Sequence, residues 1–364
     1  MLEKYGVEYN SHRECVKENL RKTKLSSEKY ALIGSKDWLY DQYITQEKTF
    51  EKLSSEYGFD KGTIGAYLKL HNIEPRYGHN SSQGQRDLAA FIESLGLQVS
   101  MNNRTKLNGK EIDIFVPEKN FGIEYDGLYY HGLIATATSE EKKYHQKKVL
   151  LAESLGVNLI RITEEEWLSY PNLVKSMIKA RLGASQNKIS ARNCSIKSIS
   201  ASEARNFFDR THIGGFSSAS YYIALTYNDN TVLVCSFSKS RFDKKYNWEL
   251  VRMSSELDTI VVGGFQKILK YFRNHNPGSI MTYADRRYSF GNSYIKAGFK
   301  FIHLTNPGYV WTDGTKVYSR YQTQKSKLEK LIKNYDPSKT ENENMFANRF
   351  RLYYDCGHLK YYLE

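Results

Sequence analysis

The feature that most limits what this chain can fold into is a pair of short apolar runs with acids inside them, between Glu111 and His131. Glu111 to Val116 and Phe121 to Asp126 read as two strands joined by a polar turn at Pro117 to Asn120. Alternation puts Glu111 and Asp113 on one face of the first strand, and Glu124 and Asp126 on one face of the second. Carboxylates buried side by side repel one another unless a cation neutralises them. The alternative is a solvated hairpin with its charges in water; the apolar context and nearby His131 argue against it. Oxygen ligands on rigid strands suit a hard divalent ion, Mg²⁺ or Mn²⁺. The expectation is a metal site.

The chain has 364 residues, enough for two or three domains with their own cores. No run approaches the roughly 18 apolar residues of a membrane span, so no membrane partner is expected. The four cysteines lie far apart, without zinc-ligand or disulfide-framework spacing. The first residues lack the cationic-then-apolar pattern of a secretory leader. A reducing, cytoplasmic setting follows as the expectation. The formal charge of +13 points to a polyanionic partner, nucleic acid before anionic membrane.

Residues 1–80 read as a basic helical region. Two short amphipathic segments meet at Gly58, and Asp60 is placed to cap the second, a helix-turn-helix pattern. Leu53, Ile64 and Leu68 would face inward, leaving Lys61, Thr63, Tyr67 and Lys69 for a DNA groove or phosphates. A plain helical hairpin is the simpler alternative. Residues 81–183 give helix, acidic strands, helix, strand: a mixed sheet flanked by helices. Polar residues 184–193 suggest a linker, and 194–364 an α+β domain with a hairpin turning at Asn228 to Asn230. The fold class expected is multidomain α/β.

The acidic segment resembles the very-short-patch repair endonucleases and the phage homing endonucleases of the EDxHD type, within the PD-(D/E)xK nuclease fold. That resemblance implies Asp113 as principal metal ligand, Glu124 as a second carboxylate and Tyr125 as a backbone-carbonyl ligand. Asp126 stands where the general pattern has lysine and the repair enzymes have histidine. His131 matches the histidine that activates the attacking water, a role its titration near neutrality suits. His145, Lys147 and Lys148 lie on the next helix, on the expected side for a phosphate; of these, Lys147 is the catalytic candidate. Gln85 stands where relatives carry a glutamate expected to reach a metal-bound water. Glutamine keeps the shape but not the charge, so either the natural chain lost this acid or activity was deliberately weakened.

Val262-Gly263-Gly264, Thr282 to Tyr288, Ala297-Gly298-Phe299 and Tyr354 to Gly357 resemble a segment appended to phage homing endonucleases, and their order is similar to the GNAT acyltransferase fold. The usual GNAT glycine loop is absent, so a DNA-recognition role is expected, with Arg241, Lys244, Lys245, Arg286 and Arg287 as contacts. Together these readings describe a homing-type endonuclease acting on double-stranded DNA in a phage-infected host cell, as a monomer or transient dimer. The rivals are a DNA-binding regulator with an inactive core and a nucleobase-modifying enzyme using an acyl-type cofactor.

Overall fold

The computed structural model describes residues 28–46, 48, 50–73, 82–128, 132–133 and 137–364. It is a mixed α/β chain that divides into two compact units, Met1–Ser81 and Ser82–Glu364. Among the described residues no helix is long and apolar enough to cross a membrane.

The first unit is helical: α1 (Glu28–Gly34), α2 (Lys36–Tyr40) running into a π turn, α3 (Phe50–Tyr57) and α4 (Lys61–Leu70). Gly58 takes φ +71°, a left-handed position that ends α3 without a Cβ clash. Asp60 then caps α4, accepting from the Thr63 amide at 2.9 Å. Leu53, Ile64 and Leu68 are buried with Ile33, Leu39 and Phe59 in one core.

The second unit opens with α5 (Gln83–Glu93), then β1 (Ser100–Leu107), β2 (Lys110–Val116) and β3 (Phe121–Asp126). Short α6 (Ser139–Lys142) and α7 (Tyr144–Ser154) follow, then β4 (Asn158–Thr163), α8 (Glu164–Ser169) and α9 (Pro171–Leu182). The sheet order is β1-β2-β3-β4, antiparallel except for the parallel β3/β4 pair. Leu88, Ala89 and Ile92 of α5, with Val174 and Ile178 of α9, cover the face bearing Ile114, Ile123, Tyr125, Ile160 and Ile162. Val149 and Ala152 of α7 cover the other face, with Phe115 and Leu159.

The segment expected as a linker is structured. Residues 187–190 form β5 (Asn187–Ser190), which pairs in parallel with β10 (Thr259–Val262), and Ala191 is buried in the adjoining core. Between them lie β6 (Ser195–Ser198), α10 (Ala201–Thr211), β7 (Tyr221–Tyr227), β8 (Asn230–Lys239) and β9 (Trp248–Ser255). Asn228 and Asp229, both at positive φ, close the β7/β8 hairpin, as Asn and Asp do in tight two-residue turns. Then come α11 (Gly264–His275), β11 (Ile280–Asp285), α12 (Asn292–Lys296) and β12 (Lys300–Leu304). The chain ends with β13 (Tyr309–Thr312), β14 (Val317–Tyr318), α13 (Lys325–Leu331), α14 (Glu341–Ala347), β15 (Arg351–Tyr354) and β16 (His358–Leu363). Seven strands form one sheet in the order β12-β16-β11-β9-β8-β7-β6, in which β9 and β11 are parallel neighbours. Phe265, Ile268 and Phe272 of α11 pack on one face, and Phe207 and Phe208 of α10 on the other.

Gly84 fixes how closely α5 lies over β3, because a Cβ there would overlap the Tyr125 hydroxyl and ring. Gly84→Ala is expected to destabilise the protein by about 1–3 kcal/mol through overpacking; a denaturant midpoint indistinguishable from wild type would contradict this account.

Candidate functional site

The β2/β3 register pairs Ile114 with Ile123, so one step further sets Asp113 opposite Glu124. The parallel β3/β4 register sets Glu124 beside Arg161. Asp113, Glu124 and Arg161 thus form a row across three adjacent strands, on the face that α7 covers. From α7, Lys148 reaches down and its Nζ lies 2.5 Å from Glu124 Oε2. Arg161 Nη1 lies 3.6 Å from the same oxygen, while its Nε donates to Asp126 Oδ2 at 2.9 Å and its Nη2 to Asp126 Oδ1. The Tyr353 hydroxyl, from β15, donates to Asp126 Oδ2 at 2.6 Å. Asp113 is held by the Tyr125 amide, which donates to Oδ2 at 2.8 Å.

The electrostatics follow from burial. Glu124 is 2 % exposed, Asp126 and Arg161 0 %. Burial, then the Asp113 charge, pushes the Glu124 carboxyl up from 4.5 to about 7. Burial also raises Asp113, partly opposed by the Tyr125 amide. Burial works against the Arg161 charge, but Asp126 and Glu124 more than offset it and hold the guanidinium protonated. When all are ionised, three carboxylates face two cations, a surplus of one negative charge. Glu124 Oε1 is buried with no hydrogen-bond partner. An orphaned carboxylate oxygen beside a second carboxylate fits a hard divalent cation, with Asp113 and Glu124 as the side chains that would hold it. Among the described residues no group of three or more His, Cys, Asp or Glu side chains is placed to hold a metal ion, so the two carboxylates are the only protein oxygens of that kind on which this fit rests.

Several expected site residues sit elsewhere. Glu111 leaves the acidic row and pairs with Arg104 at the surface, 2.8 Å away. Asp126 is committed to Arg161 and Tyr353, a structural pairing rather than a free acid. Lys147 points into solvent and pairs with Glu140; its neighbour Lys148, one residue round the helix, is the lysine that meets Glu124. Gln85 belongs to α5, on the opposite sheet face, and its Oε1 accepts from the Ser82 amide in a capping box. It makes no hydrogen bond to Asp113 or Glu124. His131 lies outside the described residues. His145 is buried, its Nδ1 bonded to the Tyr354 carbonyl at 2.7 Å.

The expected DNA contacts also divide. Lys61 and Lys69 are exposed and Tyr67 half-buried, but Thr63 is buried, its backbone amide and hydroxyl both donating to Asp60. Arg241, Lys244 and Lys245 lie on an exposed loop. Arg286 and Arg287 are not the free surface charges expected: the first is buried and the second half-buried, and both pair with acids. Arg286 is 1 % exposed and bonds Glu153 on α7 at 2.9 Å. Arg287 bridges Asp285 and Glu166 at 3.2 and 3.1 Å. Both follow β11, at the end of the seven-stranded sheet that abuts the four-stranded one, so their charges face acids across that seam.

No protein-family model matches the chain, and no curated protein matches its sequence.

Two outcomes test this electrostatic account. Glu124 holds its proton in the folded state up to about 7 but in the unfolded chain only to about 4.5. Its contribution to stability is therefore fully present below about 4.5 and lost as pH rises through about 7. Metal-free protein should resist urea better at the acidic end of that window than above it, and Glu124→Gln should flatten the slope. Tyr353→Phe strips one donor from the buried Asp126 carboxylate and should lower stability by about 1.5–3 kcal/mol; an unchanged urea midpoint would remove Tyr353 from the site.

Proposed function

We propose that this chain is a divalent-metal-dependent DNA endonuclease whose centre is formed by Asp113, Glu124 and Lys148. The observation that carries the reading is the juxtaposition of Asp113 with Glu124, its Oε1 orphaned and its Oε2 on Lys148, at the centre of a mixed sheet. The element order α5-β1-β2-β3-α7-β4 supports the resemblance to PD-(D/E)xK nucleases. In that pattern a lysine follows the second acid by two residues; here Asp126 holds that position, and a lysine from α7 arrives at the same carboxylate instead.

A bound Mg²⁺ would supply Lewis acidity and a more acidic water. The chain's own groups have separate tasks. Asp113, steadied by the Tyr125 amide, and Glu124 would provide oxygens for the ion. Lys148, as an ammonium, stabilises negative charge gathering on a phosphate and orders a nearby water through its remaining N–H donors. Arg161 and Asp126, locked together, hold the Glu124 side of the row in place. Metal uptake requires ionised carboxylates, so apparent Mg²⁺ affinity should climb as pH rises toward about 7.

The DNA is engaged in this reading by Lys61 and Lys69 of the first unit and by the β8–β9 loop of the second, contacts that supply salt-sensitive affinity. One core per chain favours nicking, with double-strand cleavage needing two chains. Acyl transfer is disfavoured by packing at the glycine turn: a Cβ on Gly264 would overlap Leu233 and Val261, and Lys267 donates to the Ala191 and Cys194 carbonyls beside it. An inactive regulator would share the fold but not the Mg²⁺ response.

Supercoiled-plasmid nicking with Mg²⁺ provides the test. Asp113→Asn and Lys148→Met should each lower cleavage at least about 100-fold while DNA binding changes little, and Lys147→Met should cleave like wild type. Mg²⁺ should raise the melting temperature of wild type but not of Asp113→Asn. Equal loss in the Lys147 and Lys148 variants, or Mg²⁺ stabilisation that ignores Asp113, would defeat the assignment.

A further inference from the structure

The most exposed large apolar side chain among the described residues is Phe242, at 77 %. It sits in the loop between β8 and β9, and that loop is built rather than slack. The Ser240 amide donates to the Asn247 carbonyl at 3.2 Å, and the Ser240 hydroxyl to the Asp243 carbonyl at 2.6 Å. The Asp243 carboxylate accepts from the Lys245 amide at 3.1 Å and from Lys360 at 2.7 Å. Tyr246 and Trp248 are buried and anchor the far side. A loop free to collapse would bury its one exposed ring; this one is tied so that the ring stays out.

The surroundings of the ring define what it meets. Arg241 is fixed by Glu249 at 2.7 Å, with its guanidinium 5.5 Å from the Phe242 ring centre, so it props the ring more than it offers a free charge. Lys239, Lys244 and Lys245 are exposed around it. Arg241 and Asp243 are paired with opposite charges. Lys244 donates to the Ser240 carbonyl at 2.8 Å, and Lys239 and Lys245 lie 3.8 and 5.8 Å from the Trp248 and Tyr246 ring centres. These contacts leave the three lysine charges un-neutralised beside the protruding ring. A flat apolar wedge between cations complements a stack of bases between two phosphate chains. It complements a lipid surface less well, because no other large apolar side chain of this loop is exposed to enter the bilayer.

We propose that the Ser240–Asn247 loop is a DNA wedge, with Phe242 entering a base step and Lys239, Lys244 and Lys245 on the flanking phosphates. The inference rests on the DNA-directed reading of the chain and names how this surface engages the duplex. Partial unstacking at a step bends DNA, so the loop reads deformability rather than base edges.

The test uses full-length protein with Phe242→Trp and Phe242→Ala, a short random-sequence duplex, and phosphatidylglycerol vesicles. On duplex, the emission added by Phe242→Trp should be quenched by stacking. Phe242→Ala should bind about tenfold more weakly and bend the duplex less, as read by end-to-end energy transfer, whereas Phe242→Trp should retain both. An unquenched indole at saturating duplex, an unchanged bend in Phe242→Ala, or a blue shift on vesicles alone would overturn the wedge. The same preparations report the two ideas separately. Quenching without Mg²⁺-dependent nicking keeps the wedge and removes the endonuclease; nicking with an unquenched indole does the reverse.

Discussion

Arg161 is the residue on which the second unit turns. It is wholly buried on a central strand, where an unpaired guanidinium would be strongly unfavourable. Its neighbours on β3 answer that charge: Asp126 takes two of its N–H groups, and Glu124 stands 3.6 Å from a third nitrogen. Remove the arginine and two carboxylates are left facing each other in a site where burial already resists their ionisation. Remove Asp126 and the guanidinium would turn fully onto Glu124, competing with any other cation for its oxygens. The arrangement leaves Glu124 partly satisfied, with Oε1 unpartnered.

The same cluster ties the four-stranded sheet to a three-stranded one of order β14-β13-β15. Tyr353 comes from the chain's last residues to reach Asp126, while His145 and Gln146 on α7 bond the carbonyls of Tyr354, Thr305 and Cys356. The helix carrying Lys148 is therefore latched by the end of β15, by Cys356 just beyond it and by the residue that follows β12. Arg286 and Arg287 add two struts, to Glu153 on α7 and Glu166 on α8, and the Arg161 amide bonds the Arg287 carbonyl. A core of this kind is not separable from the C-terminal sheet without exposing buried charge.

Strand periodicity made β2 and β3 and their acids readable, since Ile112, Ile114, Ile123 and Tyr125 alternate with Asp113, Glu124 and Asp126. The cap at Asp60 and the hairpin at Asn228 were readable for the same local reason. Edge strand β1, Ser100–Leu107, is mostly polar and carries no such signal, and the linker-like Asn187–Ser190 becomes a strand only because β10 offers it a partner. Which acid keeps free oxygens depends on Arg161 and Tyr353, 35 and 227 residues from Asp126. Spacing between acids says nothing about those partners. The choice of Lys148 over Lys147 turned on helix phase, about 100° per residue, and Val149 and Ala152 facing the sheet were the available clue.

Basic residues tell a related story. The net charge of +13 marks a polyanion partner only to the extent that the cations stay at the surface. Three of the arginines that would ordinarily be the first choice for phosphate, at 161, 286 and 287, are spent inside the fold, where the planar fork of donors matches carboxylates two at a time. Arg241 is tied to Glu249. Around Phe242, what remains outward is lysine, a point charge that follows phosphates without demanding a base edge. A surface of that kind favours affinity that falls with salt and tolerates sequence change.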